Sequence, residues 1–256
     1  MTMTHSASAV APGSSAISEP VSSAASGEQR LARLTGLLFL ITYATSIPPV
    51  LTFYVPALTD PAFILGEGFD TGISVGALLE LMLITANVGT ALTVYPVLRK
   101  QSEMLSLGYV AARLVESGFI AIGIVALMAL NTLRTNAGDA DPAALVASGQ
   151  TLVALHDWTF RLGPGVVVGV GNGLLLGYLM WKNRLVPRAL SLLGLIGGPA
   201  LLVAGAGVVM GWIEAGSTAQ IIATVPEFFW ELLLGLWLLV KGFDRKALES
   251  LNENPA

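Results

Sequence analysis

The chain has 256 residues, of which 54% are hydrophobic and 12% charged, with a formal net charge of -4; soluble domains carry about 25% charge, so lipid is the main solvent here. Cysteine is absent and histidine occurs twice, once in the N-terminal tail as His5. That excludes disulfides, thiolate metal sites, cysteine nucleophiles, iron–sulfur clusters, paired-histidine haem ligation and an H-E-x-x-H zinc site. No G-x-x-x-x-G-K-[ST] loop is present, so ATP is not a built-in energy source.

Residues 1–27 are Ser/Ala-rich, contain Pro12 and Pro20 and show no apolar period. Such a segment buries too little surface to offset its ordering entropy, and a disordered tail is expected. It lacks the basic start and short apolar core of a cleaved signal peptide. The apolar run 31–55 would rise about 37 Å as a helix, enough to cross a membrane with tilt. Five more spans follow at 73–98, 105–130, 152–181, 189–213 and 219–240, giving a membrane domain over 28–243 and a short tail at 244–256. The fold class is all-α: a polytopic six-transmembrane-helix bundle.

Charge assigns the sides. Arg30, Arg33, Arg99, Lys100, Lys182, Arg184, Arg188, Lys241, Arg245 and Lys246 fall with the two short connections and the termini, whereas the other side keeps Arg134 among Asp60, Glu67, Asp70, Asp139, Asp141 and Glu214. The positive-inside bias then predicts that both termini are cytoplasmic.

Pro48-Pro49, Gly163-Pro164-Gly165, Gly197-Gly198-Pro199 and Pro226 interrupt four spans. Lipid tolerates the freed carbonyls only where neighbours or a cavity satisfy them, and broken helices can line transport sites, although prolines are also common in packed membrane helices. Gly165, Gly169, Gly173 and Gly177, four apart, predict a smooth packing groove rather than chemistry.

Six charged residues lie well inside the spans: Glu80, Arg113, Glu116, Arg161, Glu227 and Glu231. Counting helical rise from the predicted edges puts all six in one layer about 11 to 18 Å below the outer face. Arg113 and Glu116 are three apart and share a helix face, so a local ion pair is available. Glu227 and Glu231 share a face of the sixth span. Four acids meet two arginines, which leaves at least two acids needing a proton, a neutral hydrogen-bond donor or water. Intramembrane ionisable residues default to a solute or proton site; a cluster that only fixes helix register is the competing reading. His156 and Asp157 open the predicted fourth span, one turn above Arg161. An interfacial cap is the simpler role for them, and a proton acceptor at the mouth of the site the sharper one.

Several stretches resemble a bacterial family of uncharacterised six-span membrane proteins, known as a domain of unknown function: RLARLTGLLFLIT at 30–42, AARLVESG at 111–118, LHDWTFRLGPG at 155–165, RLVPRALSLLG at 184–194 and PEFFWELLLGLWLLVKGF at 226–243. The last is the most specific. The resemblance implies a multi-pass protein of the bacterial cytoplasmic (inner) membrane and brings no activity, cofactor or catalytic residue. Its stretches include five of the six buried charges, Glu80 being the exception.

The leading expectation is a small-solute permease or membrane solute-binding protein, with protons as a candidate coupling ion. The alternative is a non-transporting structural or sensory bundle, and the third is an intramembrane enzyme using His156. No metal or cofactor is expected. The expected partners are the lipid bilayer and a small solute or proton, not nucleic acid.

Overall fold

The computed structural model describes residues 19–253, and every regular element among them is helical. α1 (Glu19–Pro48) widens into a π-helical turn at Pro49–Phe53, and the short α2 (Val55–Thr59) and a 3₁₀ turn at Phe63–Leu65 lead to α3 (Thr71–Leu98). α4 (Glu103–Thr135) follows, then α5 (Pro142–Leu162), which runs through π-helical turns at Gly163–Val167 and Gly169–Leu176 into α6 (Gly177–Lys182). α7 (Arg188–Val209), α8 (Thr218–Val240) and α9 (Arg245–Glu253) complete the chain. Six of the resulting helical segments are long and apolar enough to cross a membrane.

Local sequence sets the starts. Asp70 accepts from the backbone N–H of Ile73 at 2.9 Å, and Asp141 from that of Ala144 at 3.3 Å, each satisfying an orphan donor of a first turn. Pro142 stands at the first helical position of α5, where its missing N–H costs nothing.

The six spans close into a ring in chain order. α1 packs on α3, α3 on α4, α4 on α5 and the π-helical stretch, that stretch on α7, α7 on α8, and α8 back on α1. Large side chains such as Leu78, Leu92, Val125, Val203, Ile222 and Val240 point outward, the arrangement lipid favours. Leu176, Leu179, Trp230, Leu234 and Leu238 fill the core at one end together with Phe39, Val94 and Val97.

That end also brings the early part of α1 beside α9. Lys100 bonds Glu28 and Asn252, and Gln29 donates to the Phe243 carbonyl at 2.6 Å. At the opposite end Arg134 donates to the carbonyls of Phe63 at 3.1 Å and Gly68 at 3.2 Å, and lies over the Phe63 ring. The arginine expected alone on that side therefore holds the 56–72 connection in place.

Three boundaries depart from the sequence reading. Of the expected disordered tail, residues 1–18 lie outside the described part, but Glu19 onward is already helix continuous with α1. Helix propagates cheaply once nucleated, and the following span supplies the nucleus. The fourth span starts at Pro142 rather than 152, because Asp141 and Pro142 form a start signal within a stretch too polar to count as membrane. The 244–253 segment is a docked helix, not a tail: Leu248 and Leu251 are buried in the same core as Ala32, Leu185 and Val186.

Candidate functional site

The ring surrounds a half-open cavity of about 510 Å³ to which every span contributes. α1 supplies Tyr43 and Ser46; α3, Glu80 and Asn87; α4, Arg113 and Glu116; the fourth span, Phe160 and Pro164; α7, Leu201; and α8, Thr224, Glu227, Phe228 and Glu231. Five of the six intramembrane charges thus line one space. Arg161 does not join them. It reaches Asp157, one turn back on α5, at 3.5 Å and lies over the Trp158 ring. It lines an adjoining cavity of about 560 Å³ together with His156, Asp157 and Gln220. The two spaces share Val50, Phe160, Pro164, Leu201, Thr224 and Phe228 as a common wall. The second includes Ala215 and Gly216 from the α7–α8 connection, so it lies toward the end opposite α9.

The charges in the inner cavity are held in three different ways. Arg113, 2% exposed, donates to Glu116 Oε2 at 2.8 Å and to Asn87 Oδ1 at 2.6 Å, while Asn87 Nδ2 donates to Glu116 Oε1 at 3.0 Å. Acid, base and amide close a three-membered ring, the condition under which a buried ion pair is tolerated. Glu80 accepts from the Tyr54 hydroxyl at 2.8 Å. Glu231 accepts from the Asn172 amide through Oε1, and Asn172 is fixed in turn by Trp230 Nε1 donating to its carbonyl at 2.9 Å.

Glu227 is the exception. It is 2% exposed, and neither carboxyl oxygen has a hydrogen-bond partner. Glycines make the room it occupies: a Cβ built on Gly173 or on Gly197 would lie 2.8 Å from its Oε2. Buried polar groups nearly always find partners, which sets Glu227 apart from the other charged side chains of the cavity.

The four glycines of the fourth span do not lie on a straight α-helix, since π-helical turns occupy Gly163–Val167 and Gly169–Leu176. Side chains at Gly169, Gly173 and Gly177 would meet α7 at Gly198, Gly198 and Leu195, whereas the carbonyl of Gly165 faces Gly205. His156 does not cap the helix start, because α5 begins well before it at Pro142 with Asp141 as its N-cap. It is 5% exposed and sits edge-on to the Tyr54 ring at 5.5 Å, with Nδ1 3.8 Å from Asp157 and lacking a hydrogen bond. Among the described residues no group of three or more His, Cys, Asp or Glu side chains could hold a metal ion.

Residues 34–242 match the model of a family described as a domain of unknown function, DUF4386. The chain belongs to that family. No curated protein and no solved structure matches it. The DUF4386 match runs from α1 to the end of α8, so the whole cavity-lining ring falls inside it.

Sequence reasoning missed Tyr54, Asn87 and Asn172, the neutral partners of Glu80, Glu116 and Glu231. A signal was available for two of them: Asn87 and Asn172 stand in the middle of apolar runs, where an amide needs a partner as surely as a charge does.

Proposed function

We propose that this DUF4386 member is a small-solute permease or membrane solute-binding protein of the bacterial cytoplasmic membrane, with both termini in the cytoplasm and the paired cavities as its solute site. Glu227 carries the reading: a buried carboxyl with no hydrogen-bond partner, on a residue that lines a cavity to which all six spans contribute. A cluster that served only helix register would close on itself, as Arg113, Glu116 and Asn87 do. The outer cavity, bounded by His156, Asp157, Arg161 and Gln220, is then the approach. Surplus carboxyls are also the natural stations of a coupled proton.

The cysteine-free chain makes the test clean. Gln220→Cys, Thr224→Cys and Ser46→Cys sample the outer cavity, the common wall and the inner cavity. Val203→Cys, on a side chain 72% exposed on the outside of the bundle, is the lipid-facing control. In intact cells a membrane-impermeant thiol reagent should label the first three and spare the control. If Thr224→Cys and Ser46→Cys stay unlabelled from both sides of the membrane, the cavity is dry and the register-only bundle is the better description.

A further inference from the structure

Resting on the reading just proposed, we infer that the inner cavity takes an organic cation, a protonated or quaternary amine of drug-like size or smaller. The charge inventory points there first. The cavity is lined by four carboxyls, Glu80, Glu116, Glu227 and Glu231, and by one guanidinium, Arg113. That guanidinium is used by Glu116 and Asn87, with only its Nε left unbonded, so it is not available to an anionic solute. Glu80 and Glu231 each have a neutral hydrogen-bond donor and no salt-bridge partner, and Glu227 has neither. The ligand that completes this arrangement brings positive charge and N–H or polarised C–H donors.

Shape and lining decide which cation. A volume of about 510 Å³ lies within the roughly 300 to 1,000 Å³ of small-molecule sites, far more than one inorganic ion fills. A dehydrated metal ion needs a cage of oxygens, whereas Leu83, Ile120, Val168 and Leu201 make much of this wall apolar. Tyr43, Phe160 and Phe228 stand on the same wall, and Tyr43 and Phe228 brace each other edge to face at 5.1 Å. Aromatic rings beside a carboxyl are the combination that recognises ammonium groups, because the ring face attracts the cation while the acid supplies the counter-charge. Tyr43 is tied down by donating to the Phe228 carbonyl at 2.6 Å, so the ring pair is preset rather than assembled on binding.

The test uses the purified full chain in phosphatidylcholine nanodiscs, which contribute no anionic lipid. Tetramethylammonium, tetraethylammonium and benzyltrimethylammonium are compared with benzyl alcohol and benzoate at equal ionic strength, by thermal melting and by titration calorimetry. At least one ammonium ion should raise the melting temperature, and the neutral and anionic compounds should not. Glu227→Gln should weaken that ion's Kd about 30-fold or more, and Glu231→Gln carries the same expectation if Glu227→Gln proves unstable. Equal or larger shifts with benzyl alcohol or benzoate, no shift across the ammonium series, or a shift that sodium reproduces would each overturn the inference. Cysteine labelling decides access separately. A labelled cavity without cation preference removes only the ligand class.

Discussion

Gly197 of α7 and Glu227 of α8 meet so closely that a Cβ on the glycine would fall 2.8 Å from both the Cα and the Oε2 of the glutamate. The carboxyl that lacks a hydrogen-bond partner is seated by the absence of a side chain on the neighbouring helix. Gly197→Ala therefore has no flexible neighbour to push aside, since the obstruction includes the α8 backbone. We expect it to lower stability by about 1 to 3 kcal/mol, seen as a lower melting temperature in detergent. An unchanged melting temperature would show that α7 and α8 separate freely.

Arg113 and Glu116 should behave as one unit. Arg113→Met leaves Glu116 buried with only Asn87 as a donor, a loss of about 3 to 5 kcal/mol for a broken buried pair. Arg113→Met combined with Glu116→Leu removes the orphan and should recover much of that loss. A double-mutant cycle on melting temperature measures it; simple additivity would mean the pair is not coupled.

The Tyr54 hydroxyl is the single donor to Glu80 among the described hydrogen bonds. Tyr54→Phe should cost about 1 to 3 kcal/mol, because it strands a buried acceptor while preserving the ring that packs on His156. Glu80→Leu in the same background should restore melting toward the parent. If Tyr54→Phe alone melts like the parent, Glu80 has another donor.

Arg134 works at the surface and should show a local effect. Arg134→Ala frees the carbonyls of Phe63 and Gly68, so hydrogen exchange over residues 60–70 should quicken while the melting temperature moves little. Unchanged exchange there would mean that the connection is ordered by its own apolar contacts, chiefly Ile64.

Trp230 should report on the π-helical stretch. Trp230→Phe removes the indole donor from the Asn172 carbonyl in the core, and a loss of about 1 to 3 kcal/mol is expected. The same change loosens the amide that holds Glu231, so the affinity for the bound ammonium ion should fall with it. Lost stability with full affinity would separate the two roles.

The six spans were legible because hydropathy over some twenty residues is a sum that individual side chains barely disturb. The convergence of Glu80, Arg113, Glu116, Glu227 and Glu231 was approachable by counting rise along each span. Arg161 escaped the same counting because depth says nothing about azimuth: it lies near the layer's height but turns to Asp157 and the outer cavity. The helical start at Pro142 and the docking of Leu248 and Leu251 were hidden by polarity, since a helix packed on other helices at the membrane surface need not be apolar throughout. The closure of the ring, α8 on α1, joins residues too far apart in sequence for any local pattern to reveal.

The wide turns of the fourth span carry an evolutionary constraint of an unusual kind. A π-turn accommodates one residue more than an α-turn, and each residue of an α-helix advances the azimuth by about 100°. Asn172 meets Glu231, and Gly173 clears Glu227, only while that surplus is retained between Gly163 and Gly177. A side chain at Gly173 would collide with Gly198 and Glu227 alone, whereas deletion of a single residue would rotate everything downstream and misalign both contacts at once. Among DUF4386 sequences, length in this interval should therefore be held as strictly as the close-packed glycines themselves.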